Sequence, residues 1–286
     1  YAEEELLVTS AVSGGLQLAF LALLNPEDEV LLPDPYFVMY KQLALMVGAR
    51  PVFYDTYPDW GLHPERIAAL ITPRTKAICI NSPCNPTGRA YSRAELEAVG
   101  AVLRAHGIVA LSDEIYESFC YDEDFASFRD VYDPTVVLGG FSKSHAMTGW
   151  RVGYAAGPAE LIQAMTKFQQ FTYVCAPAPF QLGAVEALKT DMSGAIAAYK
   201  AKRDRVYQGL VDAGYEVEKP GGAFYIFPKV PWGDDMDFVE RCIERNLLVI
   251  PGSVFSEQHT HFRIAYPAAD ETIERGLEIL RAVREA

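Results

Sequence analysis

Three polar residues of different chemistry follow three apolar runs that read as buried strands. Asn85 comes after residues 78–81, Asp113 after residues 108–112, and Lys143 after residues 136–139. Tyr116 and Arg151 stand close behind the second and third. A lysine amine can form a Schiff base with a carbonyl and can carry a proton. A buried aspartate can hold a neighbouring nitrogen protonated, and an arginine fork suits a phosphate. Any one of these alone is ordinarily a cap or a solvated loop residue. Together they lie at the carboxyl ends of strands, where open α/β sheets bind ligands.

The elements that must position them alternate strand and helix. Residues 6–9 are a short apolar run, followed by Ser13-Gly14-Gly15 and a helical stretch ending near Asn25-Pro26. Further strands are predicted at 29–33, 51–54, 76–81, 108–113, 135–139 and 151–156. The run 76–81 is continuously apolar, as a parallel strand covered on both faces should be. Ser92 with Glu95 three residues on is a capping box that opens a helix. A long Lys- and Arg-rich helical pattern covers 191–212 and is suited to bridge two domains. Beyond it, strands are expected at 216–217, 224–227, 247–250 and 262–265, with helices near 237–245 and 270–284. The pattern predicts an α/β fold. A large domain, residues 1–195, is built on a mostly parallel sheet, and a smaller α+β domain spans 196–286.

Composition removes several function classes. The chain has 286 residues, 25 Lys+Arg against 38 Asp+Glu, and a formal charge of −13. That acidic balance argues against nucleic acid, which demands a basic footprint. Half of the residues are hydrophobic, so a packed core is expected, yet the longest apolar run (18–24) is too short to span a bilayer. The stretch Tyr1-Ala2-Glu3-Glu4-Glu5 is acidic where a secretory signal would be basic. Five scattered cysteines with no Cys-x-x-Cys read as reduced, mostly buried thiols of a cytoplasmic protein. Gly-x-Gly-x-x-Gly, Walker and Gly-x-Ser-x-Gly motifs are absent. His259-x-His261 lacks a third ligand nearby, so no metal is expected.

A Schiff-base lysine, a buried aspartate and a phosphate-binding arginine are what pyridoxal phosphate requires. At these residues the chain resembles the class I/II, fold-type I pyridoxal-phosphate aminotransferases. Asn81-Ser82-Pro83-Cys84-Asn85-Pro86-Thr87-Gly88 is similar to the family's Asn-Pro-x-Asn-Pro-Thr-Gly segment. Ser112-Asp113-Glu114-Ile115-Tyr116 resembles its Asp-Glu-x-Tyr segment. The stretch from Phe141 through Ser142-Lys143 to Gly149-Trp150-Arg151 resembles its signature around the Schiff-base lysine. The three occur in the family's order, and the resemblance covers essentially the whole chain.

The resemblance implies a role for each residue. Lys143 holds the cofactor covalently and later moves the substrate proton. Asp113 pairs with the pyridinium nitrogen, and Tyr116 and Asn85 bond the ring's 3-oxygen. Phe37 stacks on the ring. Arg151 binds the phosphate, together with the start of the helix at Ala11, Val12 and Ser13. Arg263 clamps the substrate α-carboxylate. Many members carry serine three residues before the lysine, where this chain has Gly140; Ser142 is the substitute hydroxyl. Members also usually carry a further N-terminal segment of several dozen residues, so such a segment is expected to be missing from this chain. A homodimer is implied, and the aromatic stretch 168–180 is suited to its interface.

The implied reaction moves an amino group from an L-amino acid to a 2-oxo acid. The alternatives are a carbon–sulfur lyase or decarboxylase on the same fold, or a non-catalytic paralogue that binds the cofactor. The donor is expected to be neutral or aromatic. In the dicarboxylate-specific branch a second cation often lies some thirty-odd residues beyond the lysine, but no arginine occurs between Arg151 and Arg203. The helix after Ser13, another source in some relatives, carries no charge between Leu16 and Leu24.

Overall fold

The structure is a computed structural model and describes residues 1–285. Its main sheet has seven strands, in the order β1 (Leu6–Thr9), β7 (Gly153–Ala156), β6 (Thr135–Gly140), β5 (Val109–Asp113), β4 (Thr75–Asn81), β2 (Glu29–Asp34), β3 (Arg50–Asp55). Only β7 runs against its neighbours, pairing antiparallel with β1 and β6. The remaining pairs are parallel. The expected mostly parallel sheet is therefore present. Its central strands are nearly continuous apolar runs because helices cover both faces.

Registers decide where the site residues fall. Asn81 pairs with Asp113, and Asp113 with Leu138, so the carboxyl ends of β4, β5 and β6 finish side by side. Helix α1 (Ala11–Leu23) buries Leu16, Leu18 and Phe20 and aims its N-terminus at that edge. Helix α4 (Arg93–His106) forms where the capping box placed it. The Glu95 amide donates to Ser92 Oγ, the Glu95 carboxylate accepts from the Ser92 amide, and Gly107 closes the helix at φ 65°.

Four helices were not evident in the sequence: α2 (Met39–Met46), α3 (Pro64–Leu70), α5 (Ala159–Thr172) and α6 (Ala178–Ala187). Two have a plain reason. Helix α3 is only two turns long, too short to show a period. Helix α6 leaves Leu182 and Val185 exposed, so its apolar residues form no one-sided stripe.

The C-terminal part holds a three-stranded antiparallel sheet, β8 (Tyr225–Ile226), β10 (Phe262–Ala265), β9 (Ile250–Pro251). Helices α7 (Ser193–Asp212), α8 (Asp235–Glu244) and α9 (Asp270–Arg284) accompany it. Three strand expectations need correction. Residues 216–217 form no strand; the Glu216 carbonyl meets only the Lys229 amide. The run 224–227 keeps a two-residue strand because Ala223 enters it at φ 55° and breaks the extended backbone. The run 247–250 shifts to Ile250–Pro251, with Leu248 turned out to solvent. The helix expected at 237–245 starts earlier, at Asp235, capped by the Asp234 carboxylate.

Helix α7 is anchored to the segment after β5 by an unusual residue for a core. Arg203 is fully buried, forks onto the Asp122 carboxylate at 2.7 and 3.0 Å, and lies over the Tyr121 ring. This pairing holds the Asp122 carboxyl down to about 2. No helix among the described residues is long and apolar enough to cross a membrane.

Candidate active site

A cavity of about 270 Å3 opens at the carboxyl edge of β4, β5 and β6. Every candidate residue from the sequence lines it. Ala11, Val12 and Ser13 come from the first turn of α1, Phe37 precedes α2, Asn85 follows β4, Asp113 ends β5 and Tyr116 follows it. Ser142, Lys143 and Arg151 follow β6, and Arg263 reaches in from β10.

One side of the cavity is an anion cradle. The first amides of an α-helix have no partner within it, so the α1 terminus presents free N–H groups. Arg151 is braced against this turn, with Nη2 donating to Ser13 Oγ and Nη1 to the Thr148 carbonyl, each at 3.0 Å. Ser142 Oγ is buried and has no hydrogen-bond partner. Gly140 cannot be the hydroxyl instead: a Cβ there would stand 2.9 Å from Gly153 Cα, because β6 and β7 pass too closely.

The floor is acidic. Asp113 is 4% exposed, and burial pushes its carboxyl up to about 6. The Tyr40 hydroxyl and the Ile115 amide, at 2.7 and 3.3 Å, oppose that shift by donating to it. Lys143 is held below the usual lysine range, first by burial and then by Arg151, with Asp113 pulling the other way. A buried carboxylate beside a partly desolvated amine is a proton-handling pair.

The far wall carries Arg263. Its guanidinium packs against the Tyr225 and Phe255 rings, 4.4 and 4.5 Å from their centroids. Nη1 donates to Asn85 Oδ1 at 2.8 Å, while Nε is buried and unpartnered. Asn85 is in turn set by its amide donating to Asn81 Oδ1. The hydroxyls of Tyr116 and Tyr225 meet at 2.9 Å.

Tyr40, Asn81, Tyr225 and Phe255 were missed as site residues. Tyr40 sits three residues after Phe37, one helical turn on, and that spacing is the signal that could have found it. The others read as motif scaffold or core aromatics. No group of three or more potential metal ligands, with or without the 259/261 histidines, exists among the described residues. His259 bonds Asp235, and His261 stacks on Phe227. All five cysteines are unpaired; Cys79, Cys84 and Cys242 are buried, but Cys175 is exposed.

These residues fit pyridoxal phosphate on their own chemistry. An orphaned hydroxyl, a guanidinium and a helix terminus line the same cavity as an amine and a buried carboxylate.

Comparison with known proteins agrees. The family model for aminotransferase class I and II matches residues 1–280. A probable aspartate aminotransferase of Methanocaldococcus jannaschii is 34% identical, over 99% of this chain and 78% of its own length. An aromatic-amino-acid aminotransferase of Thermococcus litoralis is 32% identical over 98% of this chain and 76% of its own. Among solved structures, the aspartate aminotransferase of Thermotoga maritima superimposes with a TM-score of 0.96 at 33% identity, covering 100% of this chain and 77% of that one. The chain belongs to the class I and II aminotransferases.

Proposed function

We propose that this aminotransferase takes its amino group from a neutral aliphatic or aromatic L-amino acid, and that the cavity residues divide the work as follows. Family members use pyridoxal phosphate, which when bound supplies an electron-accepting ring able to stabilise negative charge at the substrate Cα. Arg151, the first amides of α1 and the Ser142 hydroxyl bind its phosphate. Asp113 holds a proton on its ring nitrogen, Tyr116 and Asn85 bond its 3-oxygen, and Phe37 covers its face. Lys143 Nζ would hold it and would move the proton at the substrate Cα; the lowered basicity of this amine suits it to do so. Arg263, held flat by two rings, binds the α-carboxylate through its free edge.

The observation that carries the donor class is the cation count at the cavity. Its lining has three cations, Lys143, Arg151 and Arg263, and each already has a task. The matched relatives are named for aspartate and for aromatic amino acids, and this lining favours the second kind. A large domain at 1–195 and a small one at 196–286, each with its own sheet, belong to the same reading. So does a homodimer: Phe171, Val174, Leu182 and Leu188 are each 68–76% exposed on α5, α6, their link and the residue just past α6. Five unpaired thiols support a cytoplasmic site of action.

Two measurements test the reading. Borohydride reduction of the loaded protein followed by peptide mapping should put the pyridoxyl group on Lys143; label on another lysine would sink the assignment. A half-reaction with leucine or phenylalanine should yield pyridoxamine phosphate and the 2-oxo acid. Release of ammonia or carbon dioxide, or no reaction at all, would count against transamination.

A further inference from the structure

We infer that Tyr225 is a positioning residue that couples the substrate clamp to the cofactor ring. Its ring carries the Arg263 guanidinium, and its hydroxyl orients the phenol of Tyr116. The inference rests on the reading above that Tyr116 bonds the ring's 3-oxygen.

Tyr225 lies on β8 and lines the cavity between the two groups it touches. Its ring centroid is 4.4 Å from the Arg263 guanidinium, which the Phe255 ring also approaches, at 4.5 Å. Its hydroxyl is 2.9 Å from that of Tyr116, and both tyrosines are buried. Each phenol has one proton. Tyr116 spends its proton on the ring oxygen, an acceptor, so the bond between the two tyrosines must be donated by Tyr225. Donation into the Tyr116 oxygen polarises its O–H and makes it a stronger donor in turn. Burial, with Tyr225 beside it, holds Tyr116 far above the ordinary phenol range, so Tyr116 stays a donor throughout the working pH range.

The register leaves little slack in this arrangement. Tyr225 pairs with Ala265 across the sheet, two residues from Arg263. Its backbone carbonyl would stand 2.7 Å from a Cβ on Gly88, against the turn that carries Asn85. A carboxylate that engages Arg263 therefore presses on a residue whose other end bonds Tyr116.

The test is a pH titration of the visible absorption band of the protein loaded with pyridoxal phosphate. It uses the wild type, Tyr116→Phe, Tyr225→Phe and the double variant. Donation to the 3-oxygen favours the deprotonated chromophore, so weakening it moves the midpoint to higher pH. Tyr225→Phe should raise the midpoint by roughly a few tenths of a pH unit, and Tyr116→Phe by more. The double variant should match Tyr116→Phe alone, because without the Tyr116 hydroxyl the Tyr225 hydroxyl has no route to the ring. A shift with Tyr116→Phe but none with Tyr225→Phe would overturn the coupling and leave the Tyr116 role standing. Additive shifts would overturn the coupling as well. No shift with Tyr116→Phe would overturn both. The clamp half is read from KM: Tyr225→Phe keeps the ring and should leave KM for the donor within about twofold, while Tyr225→Leu should raise it about tenfold. Equal KM for Tyr225→Leu and wild type would overturn that half.

Discussion

The Tyr40 hydroxyl donates to Asp113 Oδ2 at 2.7 Å, and neither side chain is more than 4% exposed. The relationship explains how a carboxylate survives on the cavity floor. Burial favours the neutral acid, and the phenol and the Ile115 amide return part of the charged form's stability. The balance leaves Asp113 near 6, poised to be fully ionised once a cation sits against it.

Removing that donor should therefore hurt the charged form selectively. Tyr40→Phe leaves a buried carboxylate oxygen without its partner, a loss of about 1–3 kcal/mol. The loss should be larger at pH 8, where Asp113 is ionised, than at pH 5, where it is protonated. Urea melts of the cofactor-free protein at the two pH values check this. Equal losses would mean that the phenol does not stabilise the carboxylate.

Asp113→Asn should separate stability from catalysis. The folded protein keeps the Asp113 proton up to about pH 6, whereas the ordinary value is 3.8. Between those values the folded state binds more protons than the unfolded one, so this group's contribution falls as pH rises through that window and is level outside it. The Asn variant lacks the effect. Without cofactor it should match wild type below about pH 4 and exceed it at pH 7 by up to about 3 kcal/mol. Turnover should fall about a hundredfold or more, because nothing then keeps the ring nitrogen protonated. A variant that turns over at the wild-type rate would refute the role.

The parts of this site visible in the sequence share one property. Asn85, Asp113 and Lys143 each follow an apolar run, and a polar residue at or just past the end of a buried strand is a local signal. Arg263 and Phe37 came only from the family resemblance, since an arginine on a short strand and an aromatic before a helix have bland local readings. Tyr40 had only its spacing from Phe37 to mark it, and Tyr225 had no local signal. Their partners lie 73 and 109 residues away, and no local period encodes such a contact. The same applies to the C-terminal sheet. Strands as short as Tyr225–Ile226 are held by neighbours, not by their own pattern.

Gly88 should be the least forgiving position in the Asn85 turn. It sits at φ 72°, and a Cβ there would meet Pro220 Cβ at 2.5 Å and the carbonyls of Tyr225 and Gly222 at 2.7 and 3.0 Å. Two of those neighbours are backbone and cannot swing away. Gly88→Ala should cost about 2–4 kcal/mol, combining left-handed strain with overpacking. KM for the donor should rise as well, because the displaced carbonyl belongs to Tyr225 and the turn carries Asn85. A urea midpoint unchanged from wild type would show that the turn yields freely.

Donor choice follows from what the cavity lacks. Aspartate would bring a second carboxylate into a space whose three cations are committed to the amine chemistry, the phosphate and the α-carboxylate. Other candidates for a fourth cation lie elsewhere. Lys167 is exposed on α5 and is not part of the lining, and α1 carries no charged residue. An unpaired carboxylate in such a site costs several kcal/mol, whereas an aliphatic or aromatic side chain gains from each methylene it buries. The preference among neutral donors should be shallow, about 1–3 kcal/mol per methylene-scale difference. The discrimination against aspartate should be steeper, about a hundredfold or more in kcat/KM. The measurement is kcat/KM for alanine, leucine, phenylalanine and aspartate with 2-oxoglutarate as acceptor. Aspartate as the best of the four would show that a cation reaches the side-chain pocket, and the proposed donor class would fall.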